Sequence, residues 1–254
     1  MTKSPVLEAK DLVLGYGDRI VLENLNFSVQ QGEIFGILGN SGCGKSTLLK
    51  HLVGLFAPFS GSISLFGEKL HTDDIRSFNS LMTRIGVTYQ DGALFGSMTV
   101  AENVALPLEL HTDRSPREIA EIVREKLALV DLADFGNFLP GELSGGMRKR
   151  AGLARAVALD PQLLFFDEPS AGLDPLAAAG LDKLLLSMRE KLGVTVVVVT
   201  HELDSIFAIT DRVIIIDKQQ KTIVAEGVPS ELQHNSPNSF VRRFLNRDGM
   251  KRSL

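Results

Sequence analysis

The chain has 254 residues, of which 44% are hydrophobic, with one cysteine and a formal net charge of −4. That length allows one large domain, or a core domain with a subdomain inserted into it, and the apolar share suffices for a substantial core. The negative balance argues against a general grip on nucleic acid. The lone Cys43 excludes an internal disulfide and agrees with a reducing compartment, and no apolar run is long enough to cross a bilayer. Met1–Lys10 lacks the apolar stretch of a secretory signal, so a cytosolic chain is expected.

Val6–Gly32 reads as short strands with turns, with partial alternation at Leu7, Ala9, Leu12 and Leu14 and a turn cluster at Gly15–Asp18. Glu33–Leu38 reads as a buried strand that runs into the glycine loop Gly39–Gly44. A helix follows from Lys45 to about Val53, with Leu48, Leu49 and Leu52 on one face. From about Met98 to Leu159 the pattern is mostly helical. There Ser115-Pro116-Arg117-Glu118 marks a helix start, with a Ser cap, a proline in the first turn and a glutamate to complete a capping box. Ile119, Ile122, Val123 and Leu127 continue that helix's apolar face.

Leu163–Phe166, Leu176–Leu192, Val194–Val199, Leu203–Thr210 and Val213–Ile216 then alternate strand and helix. Such alternation predicts a parallel sheet covered on both faces, with the helical middle inserted between its halves. The tail residues Arg242, Arg243, Arg247, Lys251 and Arg252 are locally basic, which suits a solvated terminus or a contact with a membrane surface or partner.

Three constellations carry chemistry. Gly39-Asn40-Ser41-Gly42-Cys43-Gly44-Lys45-Ser46 fits G-x-x-x-x-G-K-[ST] after a strand and before a helix. Glycines let backbone N–H groups wrap phosphates, the helix N-terminus adds a positive dipole, Lys45 reaches the β and γ phosphates, and the Ser46 hydroxyl can hold Mg²⁺. Thr47 belongs to the same first turn. Leu163–Phe166 ends in Asp167 and Glu168. A buried parallel strand delivers both carboxylates to the sheet's carboxyl edge, Asp167 for Mg²⁺ and Glu168 to polarise an attacking water. Leu143-Ser144-Gly145-Gly146-Met147 opens a helix with a Ser cap and two glycines, a second anion site that a second copy of the chain would use.

Taken in this order, the motifs resemble an ABC-type ATPase over about residues 5–230. The resemblance implies an α/β P-loop NTPase core with an N-terminal antiparallel β subdomain and an inserted helical subdomain at about 98–159. Residues 231–254 would form a docking or mobile segment. It also implies further site residues: Tyr16 stacking on adenine, Gln90 sensing metal and γ-phosphate, Asp174 in a loop between protomers, and His201 as a switch on the γ-phosphate. The cofactors implied are ATP and Mg²⁺. The implied assembly is a homodimer in the ATP-bound state beneath a multi-span permease, peripheral on the cytoplasmic face of the inner membrane.

Met147 stands where the family signature normally has glutamine. That residue, with Tyr89–Phe95, Met98–Val100, Asn103-Val104 and Pro107-Leu108, is similar to ATPases of the Mla/Mce lipid-transport group, which implies an MCE-domain lipid-binding partner. An importer ATPase for a small polar solute, or a soluble ATPase of cofactor assembly, would share the same catalytic residues.

Overall fold

The computed structural model describes residues 5–247, so Lys251 and Arg252 of the basic tail lie outside the described residues. In chain order, β1 (Leu7–Tyr16), β2 (Arg19–Val29) and β3 (Ile34–Gly39) lead to α1 (Lys45–Leu52). Next come β4 (Ser60–Leu65), β5 (Glu68–Lys69), α2 (Ile75–Met82) and β6 (Ile85–Thr88). The middle holds α3 (Val100–His111), α4 (Pro116–Leu129) and α5 (Gly145–Ala156). Then follow β7 (Leu163–Asp167), α6 (Pro175–Leu192), β8 (Thr195–Val199) and α7 (Leu203–Ile209). The described chain closes with β9 (Arg212–Asp217), β10 (Thr222–Gly227), α8 (Pro229–Asn235) and α9 (Ser239–Leu245). These elements form two compact units, one of Met1–Phe78 with Thr195–Leu254 and one of Asn79–Val194.

In the first unit, β1 pairs antiparallel with β2 on one side and β4 on the other. The alternation in sequence suggested short strands, yet β1 and β2 run for 10 and 11 residues. Register shifts between Ala9 and Leu12, Leu12 and Leu14, and Leu14 and Gly15 explain the difference. Each shift interrupts the in–out pattern while the ladder continues.

Strand β3 lies between β8 and β9, parallel to both, and β10 adds an antiparallel edge to β9. Every residue of β3 and β8 is buried. Strands covered on both faces have no solvent side to mark with polar residues, so they read as unbroken apolar runs. On this core α9 sets Val241 and Leu245 against Leu38, Leu203, Ile206, Val213 and Ile215. Each such burial is worth about 1.5–3 kcal/mol. Two residues of the basic stretch also tie down locally. Arg242 donates to the Ser236 carbonyl, and Arg247 pairs with Asp204 at 2.7 Å.

In the second unit, β6 and β7 pair in parallel from Ile85↔Leu163 to Thr88↔Phe166. The helical stretch 98–159 falls within it. Two of its helices, α3 and α4, begin with complete capping boxes, Thr99 with Glu102 and Ser115 with Glu118. The second is the box that the sequence predicts. Each box satisfies two otherwise orphaned N–H groups and fixes where the helix starts. The result is α/β: parallel strands, a separate antiparallel sheet, and helices.

Candidate functional site

The first unit builds a phosphate cradle at the end of β3. Gly44, the residue before α1, has φ 108°, and a Cβ there would meet Leu22 Cγ at 2.9 Å. Gly39 has φ 152°, and a Cβ there would meet the Ile216 carbonyl oxygen at 2.6 Å. Neither position admits a side chain, so both glycines are required where the loop packs on Leu22 and Ile216. No side chain caps α1. Its first N–H groups are therefore left for an anion. The Lys45 ammonium lies back over the loop, donating to the Gly39 carbonyl at 2.8 Å and the Asn40 carbonyl at 3.4 Å. Asn40, Ser41, Gly42 and Ser46 are exposed, whereas Cys43 and Thr47 are buried. Burial pushes the Cys43 thiol pKa up, against the lowering effect of Lys45.

Two predicted residues join this cradle. Strands β3 and β8 run parallel, with Ile37 beside Val199, so the chain leaves both at one sheet edge. His201 follows β8 there, half exposed, with Nε2 3.6 Å from Glu202 Oε1. Tyr16 closes β1 beside α1. Its ring lies 6.1 Å from that of His51 and meets the Phe56 ring edge-on at 5.1 Å. The ring is 39% exposed, which leaves a face for stacking. Sequence reasoning missed His51 and Phe56. The signal was the (i, i+4) step from Thr47 to His51, whose Nδ1 is 2.8 Å from the Thr47 carbonyl oxygen.

The second unit gathers the carboxylates and the signature. Because Thr88 lies beside Phe166, Gln90 and the Asp167–Glu168 pair emerge at the same end of β6 and β7. The Tyr89 phenol has its pKa raised by burial and then by the Asp167 charge, with Arg155 opposing. Glu168 has φ 47°, in the left-handed region that a non-glycine residue adopts at a cost of about 1–3 kcal/mol.

Ser144 caps α5, its Oγ accepting from the Met147 N–H at 3.3 Å. That leaves its O–H to donate elsewhere. Ser144 and Gly145 are exposed, and Gly146 is half-buried. Asp174 caps α6, with Oδ1 accepting from the N–H groups of Leu176 at 3.0 Å and Ala177 at 2.9 Å.

The segment between Gln90 and α3 is stitched by Arg155, which sequence reasoning left without a role, and by Asn103, which entered there only through a resemblance. Arg155 donates to the carbonyls of Ala93 at 2.8 Å and Gly92 at 3.0 Å. Asn103, fully buried, accepts from the Phe95 N–H and donates to the carbonyls of Phe95, Met98 and Thr99. A buried Asn on a helix's apolar side was the available signal.

A glycine-rich loop, an uncapped helix start and an ammonium suit a nucleotide's phosphates. Ser46 in the first unit, and separately Gln90 and Asp167 in the second, carry hard oxygen donors of the kind Mg²⁺ takes. The family profile described as ABC transporter matches residues 22–171. The chain is 41% identical over 240 residues to "Probable ribonucleotide transport ATP-binding protein mkl" of Mycobacterium tuberculosis, covering 94% of this chain and 66% of that protein. It therefore spans just under two thirds of the length of that relative.

It is 39% identical over 240 residues to "Intermembrane phospholipid transport system ATP-binding protein MlaF" of Escherichia coli K12, covering 94% of this chain and 88% of that one. Among solved structures, cbiO1 of Clostridium perfringens, part of the ABC transporter complex cbiONQ, is similar at TM-score 0.82 and 28% identity, with 90% of each chain covered. An ATP-binding cassette solved as a post-hydrolysis dimer bound to ADP and Pi is similar at TM-score 0.78 and 30% identity, with 87% of this chain and 98% of that chain covered. The chain belongs to the ABC transporter family and carries its ATPase domain.

Proposed function

We propose that this protein binds and hydrolyses ATP to power an ABC transport complex that moves phospholipid or another hydrophobic substrate between membranes. The observation that carries the ATPase half is the uncapped start of α1 behind the glycine loop, with Lys45 folded over it. The lipid half rests on the similarity to the phospholipid transport ATPase, which extends over 88% of that relative.

In this reading Tyr16 stacks on adenine, and Gly39–Thr47 hold the phosphates through N–H groups and the Lys45 charge. Magnesium, when bound, neutralises phosphate charge, and Ser46, Gln90 and Asp167 would hold it. Glu168 orients and polarises the attacking water, and His201 hydrogen-bonds the γ-phosphate. Ser144, Gly145 and Gly146 of one copy close over the nucleotide of a second, with Asp174 at the junction. The transition state needs little covalent help, so positioning and fixed dipoles supply most of the acceleration. Closure on ATP and opening after hydrolysis form the two-state element that drives transport, and Gln90 passes the motion to a multi-span permease. We place the homodimer, peripheral, on the cytoplasmic face of that permease's membrane, with an MCE-domain protein as the lipid-binding partner.

The mycobacterial relative's name favours a second reading, a polar solute as cargo. Extraction of the native complex in mild detergent followed by mass spectrometry separates the two. A multi-span permease with an MCE-domain protein and bound lipid supports the first. A polar-solute permease, or soluble partners alone, overturns the lipid assignment.

A further inference from the structure

Lys149, on α5, is buried, and its ammonium contacts three backbone carbonyls in the turn that follows β7. It donates to the Glu168 oxygen at 3.2 Å, the Pro169 oxygen at 2.8 Å and the Ala171 oxygen at 2.6 Å. An ammonium has three N–H donors, so three acceptors use its full capacity. Burial lowers its pKa, while the charges of Asp91 and Glu168 raise it.

The turn it grips is not held by favourable local geometry. Glu168 sits at φ 47°, and the Ser170 hydroxyl oxygen is buried without a hydrogen-bond partner among the described residues. Both features cost free energy that neighbouring contacts must offset. Within the turn, the Ala171 N–H donates to the Glu168 carbonyl at 3.3 Å and the Leu173 N–H to the Ser170 carbonyl at 3.0 Å. The Lys149 bonds are charge-assisted and stronger than these.

We propose that Lys149 is a positioning residue that fixes the Glu168 peptide to the helix carrying Ser144–Gly146, so that the base of one ATP site is aligned by the helix that closes on the other. This rests on Glu168 being the base, as proposed above. Lys149 lies five positions after Ser144, less than two turns of one rigid helix, so a shift of its N-terminus moves the ammonium with it. The ammonium moves the carbonyls of Glu168, Pro169 and Ala171, and the Glu168 side chain follows its own peptide.

Lys149→Met and Lys149→Gln in the full chain test this, with folding checked by circular dichroism. In Lys149→Met, kcat for ATP should fall about tenfold to a hundredfold, the scale of a small misplacement at a reacting centre. The affinity for ATP and the number of ATP-binding sites per chain should stay as in the wild type. Lys149→Gln keeps two donors on a shorter arm and should turn over faster than the methionine variant. If Lys149→Met does not fold, a glutamine variant with reduced kcat and intact ATP affinity supports the proposal.

Wild-type kcat in either folded variant overturns it. So does loss of ATP affinity in step with kcat, the mark of a merely structural lysine. Glu168→Gln is assayed alongside. Normal hydrolysis by that variant refutes Glu168 as base, and so fails separately from the Lys149 result.

Discussion

Replacing Asn103 by leucine should destabilise the protein by about 2–3 kcal/mol. The two side chains match in heavy-atom number and branching, so the cost is chiefly polar. One bond is accepted from the Phe95 N–H at 2.8 Å, and the two N–H donors of the amide are shared among the carbonyls of Phe95 and Met98 at 3.1 Å and Thr99 at 3.0 Å. At about 0.5–1.5 kcal/mol per net bond, one accepted and two donated bonds give roughly 1.5–4.5 kcal/mol. Phe95 is 52% exposed, so water can reach part of the freed backbone, and the lower half applies. For a chain of this size, about 2–3 kcal/mol corresponds to a fall of about 5–10 °C in Tm. Thermal unfolding followed by circular dichroism measures it. Amide hydrogen exchange at Phe95 should accelerate in the same variant, because its N–H loses its acceptor. A Tm within about 2 °C of wild type, with unchanged exchange at Phe95, would refute the claim that Asn103 holds the segment after Gln90.

Three further outcomes are expected. Gly44→Ala should weaken nucleotide binding by at least about tenfold in a direct binding titration, because φ 108° and the Leu22 contact force the loop to shift; wild-type affinity would mean that the loop absorbs a Cβ. Ser144→Arg should spare ATP binding by the monomer and abolish ATP-driven dimerisation in light scattering, and dimers surviving the change would remove the cross-subunit role of the signature. Cys43 is buried, and its thiol pKa is raised above the ordinary value, so at neutral pH the thiolate fraction is small. Its alkylation should be slow near pH 7 and quicken as pH rises, and complete modification should block nucleotide binding by bulk, with unchanged affinity of the fully alkylated protein contradicting this.

The motifs with fixed spacing were legible because each is a short run attached to a strong element. The loop Gly39–Gly44 follows a strand with every residue buried, and Asp167 ends another buried run. Less was legible where function depends on contacts distant in sequence. Lys149 reads as one more basic residue in Arg148-Lys149-Arg150, and only the fold brings it to carbonyls 19 to 22 positions on. Strand β6 is four residues long with Gly86 inside it, too brief for periodicity to register. The long β1 was hidden by its register shifts, and α8 and α9 are seven residues each, short enough to pass as part of a tail.

The central claim is that the cradle and Glu168 together make an ATP hydrolase. The most direct test measures ATP binding and steady-state phosphate release for the wild type and Glu168→Gln in parallel. Equal ATP affinity, turnover reduced by at least about a hundredfold in the variant, and accumulation of an ATP-bound dimer are expected. Phosphate release by Glu168→Gln at the wild-type rate would contradict that claim.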